Sequence, residues 1–310
     1  MSNEVNEQSR EIRQKFDALV ANYGDDFWNY CRYLTGSPWD GEDLYQDTML
    51  KVLGGMYQRW HPTNLKSYLF RMATNAWIDQ CRREKRKIEL LAEVHQEQEN
   101  PIDQSVIEDA LEQLSHLFSP KQTALFLLME VFHFQANEVA SIIKTSQGAV
   151  YATLNRMRNK LKSKPAQTKT AIKNDDRNNK VIQTYLKAFN EGNLEGILQL
   201  LSENVHYEAS LGFIEISKDE VKNGSLQYGL PGHTAKEFTL WGKSVIIVLA
   251  DSESGPLVHD IQYQQVEHDK IVYHRSYFFR KELIIAACKE LNLNPQLNKS
   301  PFLNWEAITQ

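Results

Sequence analysis

The chain has 310 residues, of which 42% are hydrophobic, and its 35 basic and 40 acidic side chains give a net charge of −5. This composition predicts a globular chain of two or three domains and excludes collagen-like, coiled-coil and wholly disordered proteins. No run approaches the roughly 18 apolar residues of a membrane helix, and the polar start is unlike a signal peptide, so we expect a cytoplasmic protein without membrane contact. The three cysteines form no CxxC pair, so neither a disulfide framework nor a metal site is expected.

The charges are unevenly distributed along the chain. Residues 1–174 hold 22 basic and 22 acidic side chains, whereas residues 175–310 hold 13 and 18, so the whole deficit lies in the second part. In the first part, a basic cluster occupies residues 82–87, and residues 144–173 carry eight basic side chains and no acidic one. Two such patches, each ending an amphipathic helix, indicate phosphate binding, although the helix dipole alone also favours Lys and Arg at such ends.

Helical periodicity runs through residues 12–161, and three helices are expected before residue 90. Ser37 and Pro38 predict the start of the second helix, as an N-cap followed by the residue preferred at the first helical position. Its apolar stripe is formed by Tyr45, Met49, Val52 and Met56. The third helix, from about residue 65 to 87, ends in the basic cluster, and its predicted core residues are Leu69, Met72, Ala76 and Ile78.

Residues 137–161 have the layout of a helix-turn-helix. Asn137 is the expected cap of the first helix, Lys144 and Thr145 form the turn, and Ser146 is the expected cap of the second. The inward positions of the two helices are Val139, Ala140, Ile143, Val150, Leu154, Met157 and Leu161. The side that a recognition helix would present to a major groove carries Gln147, Tyr151, Asn155, Arg158 and Lys162. Helical hairpins without a DNA partner also show this pattern.

Three segments in order, WDGEDLYQDTMLKVL from residue 39, LKSYLFRMATNAWIDQCRREKR from residue 65 and the helix-turn-helix, resemble the extracytoplasmic-function (ECF) sigma factors of bacterial RNA polymerase. The resemblance covers roughly residues 10–164. It implies two all-α sigma domains, and a protein that binds core RNA polymerase and directs promoter-specific transcription initiation. Such a protein catalyses no reaction and needs no cofactor or metal.

The resemblance also implies roles for individual residues. The protein would contact the clamp helices and the flap of core RNA polymerase. The first segment would dock on the clamp helices through Asp40, Glu42, Asp43, Leu44, Gln46, Asp47 and Leu50. Recognition and melting of the −10 promoter DNA would fall to Trp60, Asn64, Lys66, Arg71, Asn75, Arg82, Arg83 and Arg86. Recognition of the −35 element would fall to Ser146, Gln147, Ala149, Tyr151, Ala152, Asn155, Arg156 and Arg158.

These residue types suit the chemistry. Acids beside leucines match a basic docking surface, while opened DNA calls for aromatic platforms, amides and cations. Trp77 fits either a base platform or the core. The acids could equally be a solvated first helical turn, which the helix dipole favours.

The chain departs from the family pattern in several places. Tyr68 stands where Trp is usual, and Thr74 stands where a basic residue is usual. Lys144 stands at the glycine position of the turn, which costs about 1 kcal/mol if its backbone is left-handed. Tyr151 and Thr153 replace cations on the recognition helix, so the −35 sequence cannot be taken from relatives.

The second half changes to helices followed by β-rich segments, which predicts an α+β domain with one curved antiparallel sheet wrapped on its helices. KVIQTYLKAFNEGNLEGILQLLSENVHYEA and HDKIVYHRSYFFRKEL resemble the SnoaL-like branch of the NTF2-like superfamily, over residues 177–285. The resemblance implies a cone that modulates the sigma domains in cis and leaves open a small ligand within it. The polar candidates for its interior are Glu208, His259, Asp260, Tyr263, His274 and Tyr277.

The expected organisation is a promoter-recognition subunit with a fused regulatory domain. The predicted boundaries are sigma region 2 at 10–95, a linker at 96–104, sigma region 4 at 105–164, a linker at 165–176, the SnoaL-like domain at 177–290 and a tail at 291–310. Two alternatives stay open: a helix-turn-helix regulator that binds DNA without polymerase, and a SnoaL-like isomerase or cyclase.

Overall fold

The structure is a computed structural model, and its described residues fall into two units, Met1–Ile172 and Lys173–Gln310. The described residues are 2–58, 64–91, 111, 114, 116–162, 176–210, 213–226, 233–253 and 255–299. Within these ranges the first unit is helical and the second combines helices with a sheet. No helix in the described part of the chain is both long and apolar enough to cross a bilayer.

Three long helices open the first unit: α1 (Ser2–Thr35), α2 (Pro38–Tyr57) and α3 (Leu65–Leu91). Helix α2 begins as predicted, because the Ser37 hydroxyl accepts a hydrogen bond from the Asp40 amide at 3.3 Å. Its predicted apolar stripe is confirmed, since the following side chains are all buried: Tyr45, Met49, Val52 and Met56.

The buried face of α3 differs from the predicted one. Phe70, Ala73 and Trp77 are buried together with Leu69, whereas the other three predicted core residues, at positions 72, 76 and 78, stay partly exposed. Two neighbouring stripes have helical spacing here, and the one with the larger aromatic side chains is buried because it removes more apolar area from water. Trp77 is only 7% exposed, so it belongs to the core and is no base platform in this arrangement.

The helix-turn-helix follows a shorter helix, α4 (Pro120–Phe126), and a π-helical turn over Leu127–Val131. Its helices are α5 (Ala136–Ile143) and α6 (Gln147–Lys162). Six of the seven predicted inward positions are buried, and the seventh, Leu161, is half-buried. The predicted packing of the motif is therefore confirmed.

The caps of these two helices differ in how well they were predicted. Asn137 does not cap α5; the cap is Gln135, which forms a capping box with Glu138. Ser146 caps α6 as predicted, because its hydroxyl accepts a hydrogen bond from the Ala149 amide at 3.2 Å. Lys144 takes the left-handed conformation, with φ of 55°.

In the first unit the segment before α5 packs against α1 and α3. The Phe132 ring meets Tyr30 edge-on at 5.3 Å between centroids, and the Phe134 ring lies 4.8 Å from Phe70. Phe70 also contacts Phe132 at 5.7 Å. An aromatic cluster therefore joins the predicted sigma region 2 to the predicted sigma region 4.

The second unit has four helices and seven strands in its described part. The helices are α7 (Asp176–Asn190), α8 (Leu194–Leu200), α9 (Lys218–Asn223) and α10 (Lys281–Leu291). The strands are β1 (Leu201–Ser210), β2 (Phe213–Glu215), β3 (His233–Leu240), β4 (Lys243–Ala250), β5 (Leu257–Glu267), β6 (Lys270–Ser276) and β7 (Asn294–Pro295).

The strands form one sheet in the order β2-β1-β6-β5-β4-β3, with β7 beside β5. Helices α7 and α8 pack on the sheet through Tyr185, Leu186 and Ile197, which share a core with Val205 and Ile271. The predicted α+β architecture is confirmed. The sheet is mixed, however, because β1 pairs with β6 and β5 pairs with β7 in parallel.

Part of the predicted tail belongs to the fold. Helix α10 leads into β7, and the Gln296 amide then donates to the Val258 carbonyl at 3.0 Å. The Lys299 ammonium lies 4.0 Å from the centre of the Phe278 ring. Residues 294–299 are therefore part of the second unit, and the rest of the predicted tail, from 300, lies outside the described residues.

Candidate functional site

A groove of about 540 Å³ separates α2 from the basic end of α3. Its α2 wall carries Asp40, Asp43 and Asp47, and its α3 wall carries Arg82, Arg83 and Arg86. The residues expected to bind polymerase and the cations expected to bind −10 DNA thus face each other across one groove. The charges of each wall partly cancel the electrostatic potential of the other wall. The potential at both surfaces is therefore weaker than their numbers of charges alone would give.

The polymerase-facing residues are mostly accessible. Asp40 and Asp47 are exposed, and Leu50 is 67% exposed beside them. Asp43 and Gln46 are half-buried. An exposed leucine among carboxylates gives a small apolar contact with a polar rim, which is the composition of a protein interface.

Two residues predicted for this surface are buried in the structure. Glu42 is fully buried, where its carboxylate accepts a hydrogen bond from Trp28 Nε1 at 2.7 Å and from Gln46 Nε2 at 2.8 Å. Leu44 is only 6% exposed. Glu42 instead ties α1 to α2, because a buried carboxylate needs donors around it. Trp28 lies fourteen residues upstream, so no local motif could reveal the pair.

Most of the predicted −10 cations are accessible. Arg82, Arg83 and Arg86 are exposed, and Arg82 pairs with Asp79 at 3.1 Å, a weak surface contact that phosphate can displace. Arg71 is half-buried with its guanidinium over the Tyr68 ring, and Asn75 is exposed. Trp60 lies outside the described residues.

The first two predicted −10 residues of α3 are engaged inside the unit. The Asn64 side chain caps α3 by accepting from the Ser67 amide at 2.9 Å, and its Nδ2 donates to Glu138 Oε1 at 3.4 Å. The Ser67 hydroxyl donates to the same Glu138 oxygen at 3.2 Å. The Lys66 ammonium lies 4.8 Å from the centre of the Phe134 ring. The side chains of Asn64 and Lys66 are therefore in contact with Glu138 and Phe134, respectively.

On α6, the predicted −35 face is open. Gln147, Tyr151 and Asn155 are exposed at successive four-residue steps, with Tyr151 52% exposed. Such spacing places the three side chains along one line of the helix. Ser146 and Ala152 are exposed too, and Ala149 is half-buried.

The two arginines of the predicted −35 set are engaged elsewhere. The Arg158 guanidinium donates to Glu130 at 2.5 Å. Arg156 turns back along its own helix, where Nε donates to the Ala152 carbonyl at 3.3 Å and a terminal nitrogen donates to the Thr153 hydroxyl at 3.2 Å. Apart from Lys162 at the C-terminal end of the helix, the exposed groups of the predicted groove-facing side that lack such contacts are amides and a phenol.

The interior of the second unit contains a polar group. The Asp260 carboxylate accepts from Gln262 at 3.0 Å and from Ser276 at 2.9 Å, and Tyr185 donates to Gln262 at 3.3 Å. His274 bonds Gln264 at 3.1 Å. Within the described residues, Asp260 Oδ1 and His274 Nε2 have no hydrogen-bond partner.

Burial sets the protonation of this polar group. Desolvation raises the pKa of Asp260 to about 6, against the hydrogen bonds from Gln262 and Ser276, which favour the charged form. Desolvation lowers the pKa of His274 to about 3, so its ring is neutral at pH 7. The ring stacks on Tyr207, with centroids 3.9 Å apart.

The other predicted cone residues have different surroundings. Glu208 pairs with Arg275 at 3.2 Å, and Tyr263 lies beside Lys243. His259 bonds Gln296 at 2.6 Å. Tyr277 is buried under Arg275. The interior also includes Tyr185, Tyr207, Gln262 and Gln264, which were not among the predicted residues. Gln262 and Gln264 follow Asp260 at two-residue steps on β5, so strand alternation was the available signal for these two.

Residues 19–87 match the family model for Sigma-70 region 2. They contain both walls of the groove, so the groove lies within the segment that is similar to Sigma-70 region 2.

Over 238 residues the chain is 26% identical to the ECF RNA polymerase sigma factor SigG of Mycobacterium tuberculosis, covering 66% of this chain and 64% of that protein. The chain thus spans somewhat less than two thirds of this relative's length. The predicted resemblance to ECF sigma factors is confirmed.

Two solved structures are also similar. The ECF sigma factor SigJ of Mycobacterium tuberculosis matches with a TM-score of 0.32 and 17% identity, over 85% of this chain and 95% of that one. A candidate polyketide cyclase from Pseudomonas putida matches with a TM-score of 0.25 and 19% identity, over 34% of this chain and 95% of that one. At these TM-scores the likenesses do not bear on function.

Proposed function

We propose that this protein is an ECF-type sigma factor, which binds core RNA polymerase and directs promoter-specific initiation of transcription. The observation that carries the proposal is the groove in residues 19–87, whose acidic wall and basic wall stand on the two helices of a sigma-70 region 2 match. The relatives named ECF RNA polymerase sigma factors support it over two thirds of the chain.

In this proposal the α2 surface docks on polymerase. Asp40, Asp43 and Asp47 meet basic residues of the clamp helices, and Leu50 supplies the apolar contact that a purely charged surface lacks. Glu42 acts behind the surface, since the hydrogen bond that it accepts from Trp28 fixes α2 against α1.

The basic end of α3 then holds the opened −10 DNA, and α6 reads the −35 element. These two sites lie about 25 base pairs apart on the promoter, roughly 85 Å of duplex at 3.4 Å per pair. The described arrangement, with Phe134 on Phe70 and Glu138 on Asn64 and Ser67, cannot reach both sites at once. We therefore assign it to the protein away from the promoter, and expect these contacts to open on the polymerase.

The second unit modulates the sigma unit in cis and catalyses no reaction. A segment of about a dozen residues joins the two units, so even weak contacts act at a high effective concentration. A small ligand of this unit would have to meet the two unpartnered atoms of its buried polar group, Asp260 Oδ1 and His274 Nε2, which call for one donor and one acceptor. Cleavage near Lys173 is expected to change transcriptional output, with the intact chain as control.

The direct test uses the full chain with purified core RNA polymerase. We expect a stable complex at low salt and specific transcripts from a genomic promoter pool, with core enzyme alone as control. Failure to bind core enzyme, by the intact chain and also by the chain cut near Lys173, would refute the proposal.

A further inference from the structure

The recognition helix offers an unusual set of groups for reading DNA. Its exposed line consists of Gln147, Tyr151 and Asn155, which are two amides with a phenol between them. An amide presents one donor and one acceptor side by side, which matches the N6 and N7 edge of adenine in the major groove. The guanidinium and ammonium groups that read guanine are missing from this line.

Three of the four cations of α6 have other contacts, and the fourth, Lys162, is exposed at the C-terminal end of the helix, away from the N-terminal turns that reach base edges in a helix-turn-helix. Arg158 is paired with Glu130, and Arg156 folds back on Ala152 and Thr153. The Lys160 ammonium donates to the Leu117 carbonyl at 2.8 Å and lies 5.4 Å from the centre of the Phe118 ring. Contact between a guanidinium and guanine would require breaking these contacts first, whereas the amides need no rearrangement.

The spacing of the amides sets the distance between the base pairs they address. Eight residues separate Gln147 from Asn155, about 12 Å along the helix at 1.5 Å per residue. That distance corresponds to roughly three or four base-pair steps of about 3.4 Å. Tyr151 lies between them, where its apolar ring can meet the C5-methyl group of thymine.

We propose that the −35 face selects A·T pairs, with Gln147 and Asn155 each reading an adenine three or four steps apart and Tyr151 contacting a thymine methyl between them. The inference rests on the proposed function and specifies the DNA that α6 prefers. Phosphate contacts fix the register but add no base preference, so Lys144, in the turn before α6, would serve orientation only.

The test is selection from a randomised duplex library by the full chain bound to core RNA polymerase. We expect an enriched −35 site with two adenine positions three or four steps apart. Gln147→Ala should abolish the preference at one position and Asn155→Ala at the other, by roughly tenfold to a hundredfold each. Asn22→Ala is the matched control: it removes the same side chain from an exposed position of α1, outside the proposed reading face, and should leave both preferences intact.

A change of specificity separates recognition from damage to the fold. Gln147→Arg should convert the adenine preference at its position to guanine, because a guanidinium pairs with guanine O6 and N7. On the selected site, 7-deazaadenine at either position should weaken binding in the wild type but not in the matching alanine variant. Uracil in place of the central thymine should weaken binding unless Tyr151 is also changed to Ala.

The outcomes distinguish this inference from the proposed function. An enriched site of G·C pairs that both alanine variants keep would overturn the adenine assignment and leave the sigma function intact. If the chain enriches no sequence from the library and also fails to bind core enzyme, both the adenine assignment and the proposed sigma function are overturned.

Discussion

Helices α3 and α6 both carry residues expected to contact promoter DNA, yet the structure presents them differently. The first turn of α3 is covered: Asn64 bonds Glu138, and Lys66 lies against Phe134. The exposed line of α6 is open over its whole length. The −35 face can therefore contact a duplex without rearrangement. The first turn of α3 can contact DNA only after its contacts with Glu138 and Phe134 are broken.

The difference shows that residue type alone does not define a binding surface. Both helices offer amides and cations, but on α3 those of the first turn also hold two regions of the fold together. A mutation in the first turn of α3 therefore changes stability as well as DNA contact, whereas one on the exposed line of α6 should change contact alone.

The largest effect expected from this comparison is at Phe70. It is fully buried and contacts Phe27, Tyr30 and Phe134, so Phe70→Ala should lower the free energy of unfolding of the first unit by about 3 to 5 kcal/mol. Tyr151→Ala, the matched aromatic truncation on α6, should change it by less than about 0.5 kcal/mol. Urea denaturation followed by circular dichroism measures both. Equal losses in the two variants would remove the distinction between the helices.

In the second unit, the polar side chain of His274 is buried, so its contribution to stability depends on pH. Burial lowers the pKa of His274 from its usual 6.5 to about 3. Between these two pH values the imidazole binds a proton in the unfolded chain but not in the folded one. Stability from this group is therefore lost as the pH falls from 7 to 5, by about 2 kcal/mol. His274→Gln should remove that loss, as seen by urea denaturation at the two pH values.

Two neighbours complete the pH dependence. His259, with its pKa lowered to about 4, acts in the same direction as His274. Asp260, with its pKa raised to about 6, acts in the opposite direction, because the folded state keeps its proton to higher pH. The exposed His206→Gln change serves as control, and a pH dependence unaltered in His274→Gln would contradict the burial of a neutral ring.

The smallest effect concerns the turn that presents α6. Lys144 has φ of 55°, so Lys144→Gly should relieve the left-handed strain and stabilise the first unit by about 1 kcal/mol. The thermal unfolding midpoint should rise accordingly, while Lys144→Ala should not raise it. A lower midpoint for the glycine variant would show that the lysine side chain contributes more than the strain costs.

Local signals in the sequence were sufficient for much of the fold. Ser37 and Ser146 cap the helices that they were expected to cap, and the turn at Lys144 has the left-handed geometry that its place demands. These features depend on neighbours within four residues, which the sequence shows directly.

What the sequence did not reveal depends on distant partners. Glu42 is buried because Trp28 donates to it, and Asn64 is engaged because Glu138 lies beside it. Asn294 and Pro295 join the sheet because β7 pairs with the first residues of β5. Hydrophobic periodicity shows which face of a helix is apolar. Which polar side chains become buried depends on packing against residues that are distant in the sequence.

The most direct test of the central claim is the affinity of core RNA polymerase for the full chain carrying Asp43→Lys and Asp47→Lys. The control is Asp25→Lys with Asp26→Lys, an equal charge change at exposed positions of α1. Like charge at the docking surface should weaken binding by roughly a hundredfold in the first pair, and the control should bind like the wild type. Wild-type affinity in the Asp43 and Asp47 variant would contradict the account.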